Sequence, residues 1–140
     1  MPGFLRRKKE KEHEDKPSVP NPFSRLEELC GGDKELYQDL SKVMFLDPRK
    51  ILQPLESFVL DAGRFQTEGN RLKAEVNYRI AAGMALYKGD AQLARNLFEK
   101  AAAVGARSGV EYSRVAKKAE EVVRIAQDFY RSESIHKSES

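Results

Sequence analysis

The stretch GDAQLARNLFEKA, Gly89 to Ala101, reads as a turn feeding a helix, and it decides the fold. Gly89 can take the left-handed conformation that ends one helix, and the Asp90 carboxylate can accept the free N–H groups that begin the next. Ala94, Phe98 and Ala101 then share one helix face. The same order and intervals occur upstream in Gly69-Asn70, Ala74, Tyr78 and Ala81. Two such units in succession describe helices folded back on each other, with small residues that let the backbones approach closely. This is the signature of a helical scaffold rather than of reaction chemistry.

Outward from that stretch, helical patterns cover most of the chain. The segment Asn70–Lys88 carries two apolar faces, one of Leu72, Val76, Ile80, Met84 and Tyr87 and one of Ala74, Tyr78, Ala81 and Ala85. A helix apolar on two sides is expected at the centre of a fold. Asp90–Val104 adds Leu93, Leu97, Phe98, Ala101 and Val104. Beyond a Gly105–Gly109 loop, Tyr112, Val115, Ala119, Val122, Ala126 and Phe129 form one long stripe, with Arg114, Lys117, Lys118, Glu120, Glu121 and Arg124 largely outside it.

On the N-terminal side, Ile51, Leu55, Phe58, Ala62 and Phe65 alternate at spacings of four and three, and Pro54 reads as the start of their helix rather than a kink. Asp33 caps a helix with Leu36, Leu40, Val43 and Met44 on its apolar face, stopped by Asp47-Pro48. A short helix from about Pro22 to Leu29 ends at Gly31-Gly32. The expectation is an all-α fold, an antiparallel helical bundle or short α-solenoid of five to six helices, over residues 23–131. Residues 1–22, with mixed charges and then Pro17, Pro20 and Pro22, read as a disordered arm. Residues 132–140, SESIHKSES, read as a frayed tail.

Charge excludes more than it assigns. The net charge is +3, yet residues 1–16 hold six bases (Arg6, Arg7, Lys8, Lys9, Lys11, Lys16) against four acids, which leaves 19 bases and 18 acids elsewhere. A nearly neutral helical region argues against a whole-domain nucleic-acid footprint. Cys30 has no second cysteine to pair with, the N-terminus lacks a secretory apolar segment, and no apolar run approaches the roughly 20 residues of a membrane span. A cytoplasmic protein is the expectation.

Residues Glu75 to Arg107 resemble a single tetratricopeptide (TPR) hairpin, a repeat of about 34 residues. The resemblance rests on Tyr78, Ala81-Ala82, the Gly89-Asp90 turn, Ala94, Phe98 and Ala101. GGDKELYQDLSKVMFLDP, Gly31 to Pro48, looks like a second helix of such a repeat. Ala85 stands where that family usually has an aromatic residue, and Ala106 where it usually has proline. The resemblance implies a peptide-binding face on the first hairpin helix, at Val76, Arg79, Gly83 and Tyr87. The asparagines of the carboxylate-binding subset would fall on Ile80 and Gly83, so no C-terminal carboxylate clamp is implied. The run from Tyr78 through GDAQLARNLFEKA to EYSRVAKKAEEVVRIA is also similar in layout to the three-helix MIT domain, a family that holds helical tails in its grooves.

No set of residues points to catalysis, a metal or a cofactor. His13 and His136 lie in the two expected tails and, with Cys30, make no ligand spacing. Arg131 and His136 match the R-x4-H spacing of HEPN-type ribonucleases, but Ser132 follows the arginine where asparagine is usual, and the pattern falls in the expected tail. The reading is therefore a non-enzymatic adaptor that holds a peptide or amphipathic helix of a protein partner in a helix groove. The alternative is a small RNA- or ribosome-associated protein, touching nucleic acid or an anionic surface through Arg6, Arg7, Lys8 and Lys9 and a face of Arg114, Lys117, Lys118 and Arg124. The interleaved acids Glu10, Glu12, Glu14 and Asp15 weaken the arm's field.

Overall fold

Helix boundaries follow the capping chemistry written in the chain. In a computed structural model that describes residues 23–139, with side chains as far as Ser132, the elements are α1 (Ser24–Leu29), α2 (Lys34–Val43), a 3₁₀ turn (Pro48–Lys50), α3 (Leu55–Thr67), α4 (Arg71–Lys88), α5 (Ala91–Val104), α6 (Tyr112–Lys117) and α7 (Ala119–Glu139). The described residues are helical with no strand. The Asp33 carboxylate accepts the Leu36 N–H at 3.0 Å, Asn70 the Lys73 N–H at 3.2 Å, and Asp90 the Leu93 N–H at 3.0 Å. Each satisfies a donor that a helix start leaves free. Gly89, at φ 80°, reverses the chain between α4 and α5, in the left-handed region that costs glycine little. Pro54 caps α3 rather than interrupting it, as its position in the pattern implies.

The elements number seven α-helices and one 3₁₀ turn among the described residues, against an expected five to six. Part of the difference lies in the long stripe from Tyr112 to Phe129, which is divided. The Lys118 N–H bonds the Val115 carbonyl three residues back, so the ladder tightens and α6 ends before α7 begins. Both halves of the stripe remain buried, from Tyr112, Val115 and Ala116 to Val122, Ala126 and Phe129. The backbone of α7 is helical through the expected tail as far as Glu139.

Helix α4 packs against α2, α3, α5, α7 and the 3₁₀ turn, which makes it the central element. Its buried side is the one built of small residues: Ala74, Ala81, Ala82 and Ala85 are fully buried, with Tyr78, Leu86 and Glu75. The second apolar face is not core. Leu72 is 60% and Tyr87 41% exposed, while Val76, Ile80 and Met84 are half-buried. Small side chains win the interior because they bring helix axes close and gain dispersion contacts that a Leu-sized spacer would prevent. Phe98, completely buried on α5, stacks on Tyr112 with ring centroids 6.3 Å apart and closes the opposite side of the core.

Two acids sit inside. Asp39, 2% exposed on α2, accepts the Glu111 N–H at 3.1 Å and the Arg114 guanidinium at 2.8 Å. That pairing ties α2 to the start of α6. Glu75 on α4 is fully buried, accepts the Tyr112 hydroxyl, and lies 3.6 Å from the Arg79 guanidinium. Buried charge needs such partners to offset the loss of water.

Candidate partner-binding groove

The open face of α4 forms one wall of a groove of about 620 Å³. Val76, Ile80 and Met84 recur at spacings of four and so stand in line along that wall. Tyr37, Ser41, Lys42 and Val43 of α2 form the facing wall. The segment after α2 supplies the lip, where Phe45, Leu46, Pro48 and Ile51 lie between the helix end and α3, and Phe23 closes one side. Phe45 is 74% and Leu46 49% exposed, two large apolar side chains left open to water at one site. The volume falls within the range of about 300–1,000 Å³ usual for ligand sites.

Gly83 has a structural part in this arrangement. A Cβ at this position would stand 3.1 Å from the Val43 carbonyl oxygen, so the missing side chain lets the end of α2 approach α4 and closes the groove floor. Charge on the lining is one-sided. Lys42 and Arg79 are its charged residues, and no carboxylate lines it. Lys42 donates to the Gly109 carbonyl at 3.2 Å, which steadies its stem at the rim.

Of the four residues expected on a peptide-binding face, Val76, Arg79 and Gly83 line the groove. Tyr87 does not. Its ring meets Tyr130 edge-on at 5.2 Å, and its carbonyl accepts from Gln127, so it belongs to the contact between α4 and α7. Tyr37, Phe45, Leu46 and Ile51 went unselected by sequence reasoning, although Phe45-Leu46 carries a usable signal. These residues prolong an apolar run past the end of the α2 stripe, directly before the helix-stopping Asp47-Pro48, where no helix face can bury them.

The expected cationic face is largely committed elsewhere. Arg114 pairs with Asp39 and lies 3.5 Å from Glu35, and Lys118 pairs with Asp33 at 2.9 Å. The bond to Asp39 raises the Arg114 pKa, and the bond to Asp33 raises that of Lys118. Lys117 and Arg124 are exposed. Arg6, Arg7, Lys8 and Lys9 lie outside the described residues, as does His13. Arg131 pairs with Asp128 at 2.9 Å. Cys30 is buried, and its thiol pKa is pushed up to about 11 by that burial and then by the carboxylates of Asp33, Glu121 and Glu27. A thiol so held is a poor nucleophile at neutral pH.

Among the described residues, no three His, Cys, Asp or Glu side chains gather where they could hold a metal ion, and no helix is long and apolar enough to cross a membrane. Comparison with known proteins finds no matching family model, curated protein or solved structure.

Proposed function

We propose that this protein is a non-enzymatic adaptor whose groove between α2 and α4 receives the apolar side chains of a peptide or amphipathic helix from a protein partner. The observation that carries this reading is the apolar groove itself, open at a lip where Phe45 and Leu46 are exposed. Helix-in-groove recognition needs such a trough, into which side chains at i, i+3, i+4 and i+7 of a ligand can insert. The lining contains no His, Cys, Asp or Glu; its polar side chains are Tyr37, Ser41, Lys42 and Arg79. A TPR-like use of the α4–α5 hairpin belongs to the same proposal, since three of the four residues that resemblance selects line the groove. The nucleic-acid alternative is less well supported, because Arg114 and Lys118 are engaged with Asp39 and Asp33.

The test is fluorescence polarisation with a labelled amphipathic helical peptide, uncharged and bearing Leu and Phe at i, i+3, i+4 and i+7. Micromolar binding is expected, and it should be lost in the double variant Phe45→Ser, Leu46→Ser with little change in melting temperature. Binding that survived the double substitution would refute the groove as the site.

A further inference from the structure

The electrostatic asymmetry of the groove specifies its occupant further. We infer that the groove takes an apolar-anchored segment flanked by carboxylates, an acidic amphipathic peptide rather than a neutral or basic one. This inference rests on the adaptor reading above.

Three observations converge on it. The charged residues of the lining are both cations, Lys42 on α2 and Arg79 on α4, one on each wall. Two further exposed cations stand beside the lining, Lys34 one turn before Tyr37 on α2 and Lys50 between Pro48 and Ile51. The acids of the two walls and of the lip are paired with bases, Asp47 in the lip with Arg49 at 2.9 Å. Asp39 is buried against Arg114, Glu35 faces Arg114 at 3.5 Å, and Glu75 is buried beneath Tyr112 and Arg79. Arg79 is held through Glu75, so its charge is offset locally and the rim lysines contribute most of the net field. Lys42 in particular bonds a neutral carbonyl and keeps its charge uncompensated by a carboxylate.

A trough with an apolar floor and a cationic rim favours a ligand with the inverse pattern, apolar anchors along one stripe and Asp or Glu on its flanks. Rim charges act mainly on encounter rate and on the rejection of wrong partners, and their effect is screened by salt. Nucleic acid fits less well. Its backbone needs clustered cations along a track, whereas most of this lining is apolar.

The experiment uses three synthetic peptides with one apolar pattern and Glu, Gln or Lys at every flanking position, titrated into the full chain at 20 and 300 mM salt. At low salt the Glu peptide is expected to bind at least tenfold more tightly than the Lys peptide, with the Gln peptide between them. The gap should narrow severalfold at high salt. Lys34→Glu with Lys50→Glu, both exposed and outside the lining, should narrow or invert the ranking while leaving affinity for the Gln peptide and the melting temperature nearly unchanged.

Equal binding of the three peptides, or preference for the Lys peptide, would overturn the charge inference and leave the adaptor reading standing, provided Phe45→Ser, Leu46→Ser still removed binding. Absence of binding by all three would sink both. Displacement of the Glu peptide by single-stranded RNA would overturn the inference in favour of a nucleic acid. A peptide-free dimer that Phe45→Ser dissociates would make a second copy of this chain the occupant.

Discussion

The carbonyl oxygen of Val43 lies 3.1 Å from where a Cβ on Gly83 would stand, so the end of α2 rests directly on the backbone of α4. Glycine inside a helix costs roughly 0.5–1 kcal/mol relative to alanine, and here that cost is set against a close approach that any Cβ would push back by a few tenths of an ångström. Gly83→Val should force the two helices apart and destabilise the fold by about 1–3 kcal/mol. Gly63 is the matched control, a glycine in the interior of α3 with nothing within 4 Å of its would-be Cβ. Gly63→Ala should stabilise by roughly 0.5–1 kcal/mol. Urea denaturation of both variants checks the pair, and opposite signs are the expected result.

Helix α4 also shows what could and could not be read from the sequence. Its ends were legible because Asn70 and the Gly89-Asp90 turn have local, specific jobs that any environment would require of them. Which face it buries was not. Periodicity places Ile80 and Ala81 on different faces without saying which faces solvent, and large side chains such as Leu72 and Ile80 are the natural guess for core. Burial is settled instead by helix spacing, a tertiary property to which small residues are the better match. The structure makes Ala81 interior and Ile80 a groove wall. Ala81→Leu should therefore cost about 1–3 kcal/mol through overpacking. Ile80→Ser should lower stability by about 1–2 kcal/mol, since a partly buried side chain loses only part of its burial energy. Peptide affinity should fall in the second variant. Thermal melts and a binding titration on the same samples separate the two effects.

Asp39 joins elements far apart in sequence, and nothing local marks it as buried. Its position in α2, beside Leu40, looks like any solvated acid until Glu111 and Arg114 arrive from the other end of the domain. Asp39→Ala would leave the Glu111 N–H and the Arg114 guanidinium without their acceptor. The expected loss is about 2–3 kcal/mol, in the range for hydrogen bonds to charged groups. Asp39→Asn, which keeps one acceptor oxygen, should recover part of it. Equal melting temperatures for Asp39→Ala and the native chain would show that the pair does not hold α2 to α6.

Asp33 serves twice, as the cap of α2 and as the partner of Lys118. The Lys118 ammonium and then the Leu36 N–H hold its carboxyl below the usual carboxylate range. A carboxylate with a depressed folded pKa stabilises the fold above its unfolded pKa, about 3.9, and that contribution is lost as pH falls through the lower folded value. Lys118, raised by the same contact, gives the mirror effect: its contribution is complete below its unfolded pKa, about 10.4, and is lost as pH rises through the folded one. Asp33→Asn should keep much of the cap while flattening both limbs of the stability–pH curve. Denaturation midpoints between pH 2 and 11 provide the check, and an unchanged acid limb would show that the ion pair contributes nothing to it.

Cys30 offers a probe of how tightly α1 is held. It follows α1 directly, is 7% exposed, and has its thiol pushed up to about 11, chiefly by burial and then by Asp33, Glu121 and Glu27. The thiolate is the reactive form, so alkylation of the folded chain at pH 8 should be slower than that of a model thiol by about 100-fold or more, counting both the restricted access and the thiol pKa raised to about 11. The sign of the linkage is that of a raised acid. Burial of the neutral thiol is favourable below the unfolded pKa, about 8.5, and that contribution disappears as pH climbs through about 11. Cys30→Ala should therefore weaken the alkaline loss of stability while making the protein less stable at neutral pH through the lost sulfur contacts. Labelling by iodoacetamide, followed by mass spectrometry with and without urea, measures the first expectation. Rapid modification of the native chain would mean that α1 opens readily and that the Phe23 side of the groove is mobile.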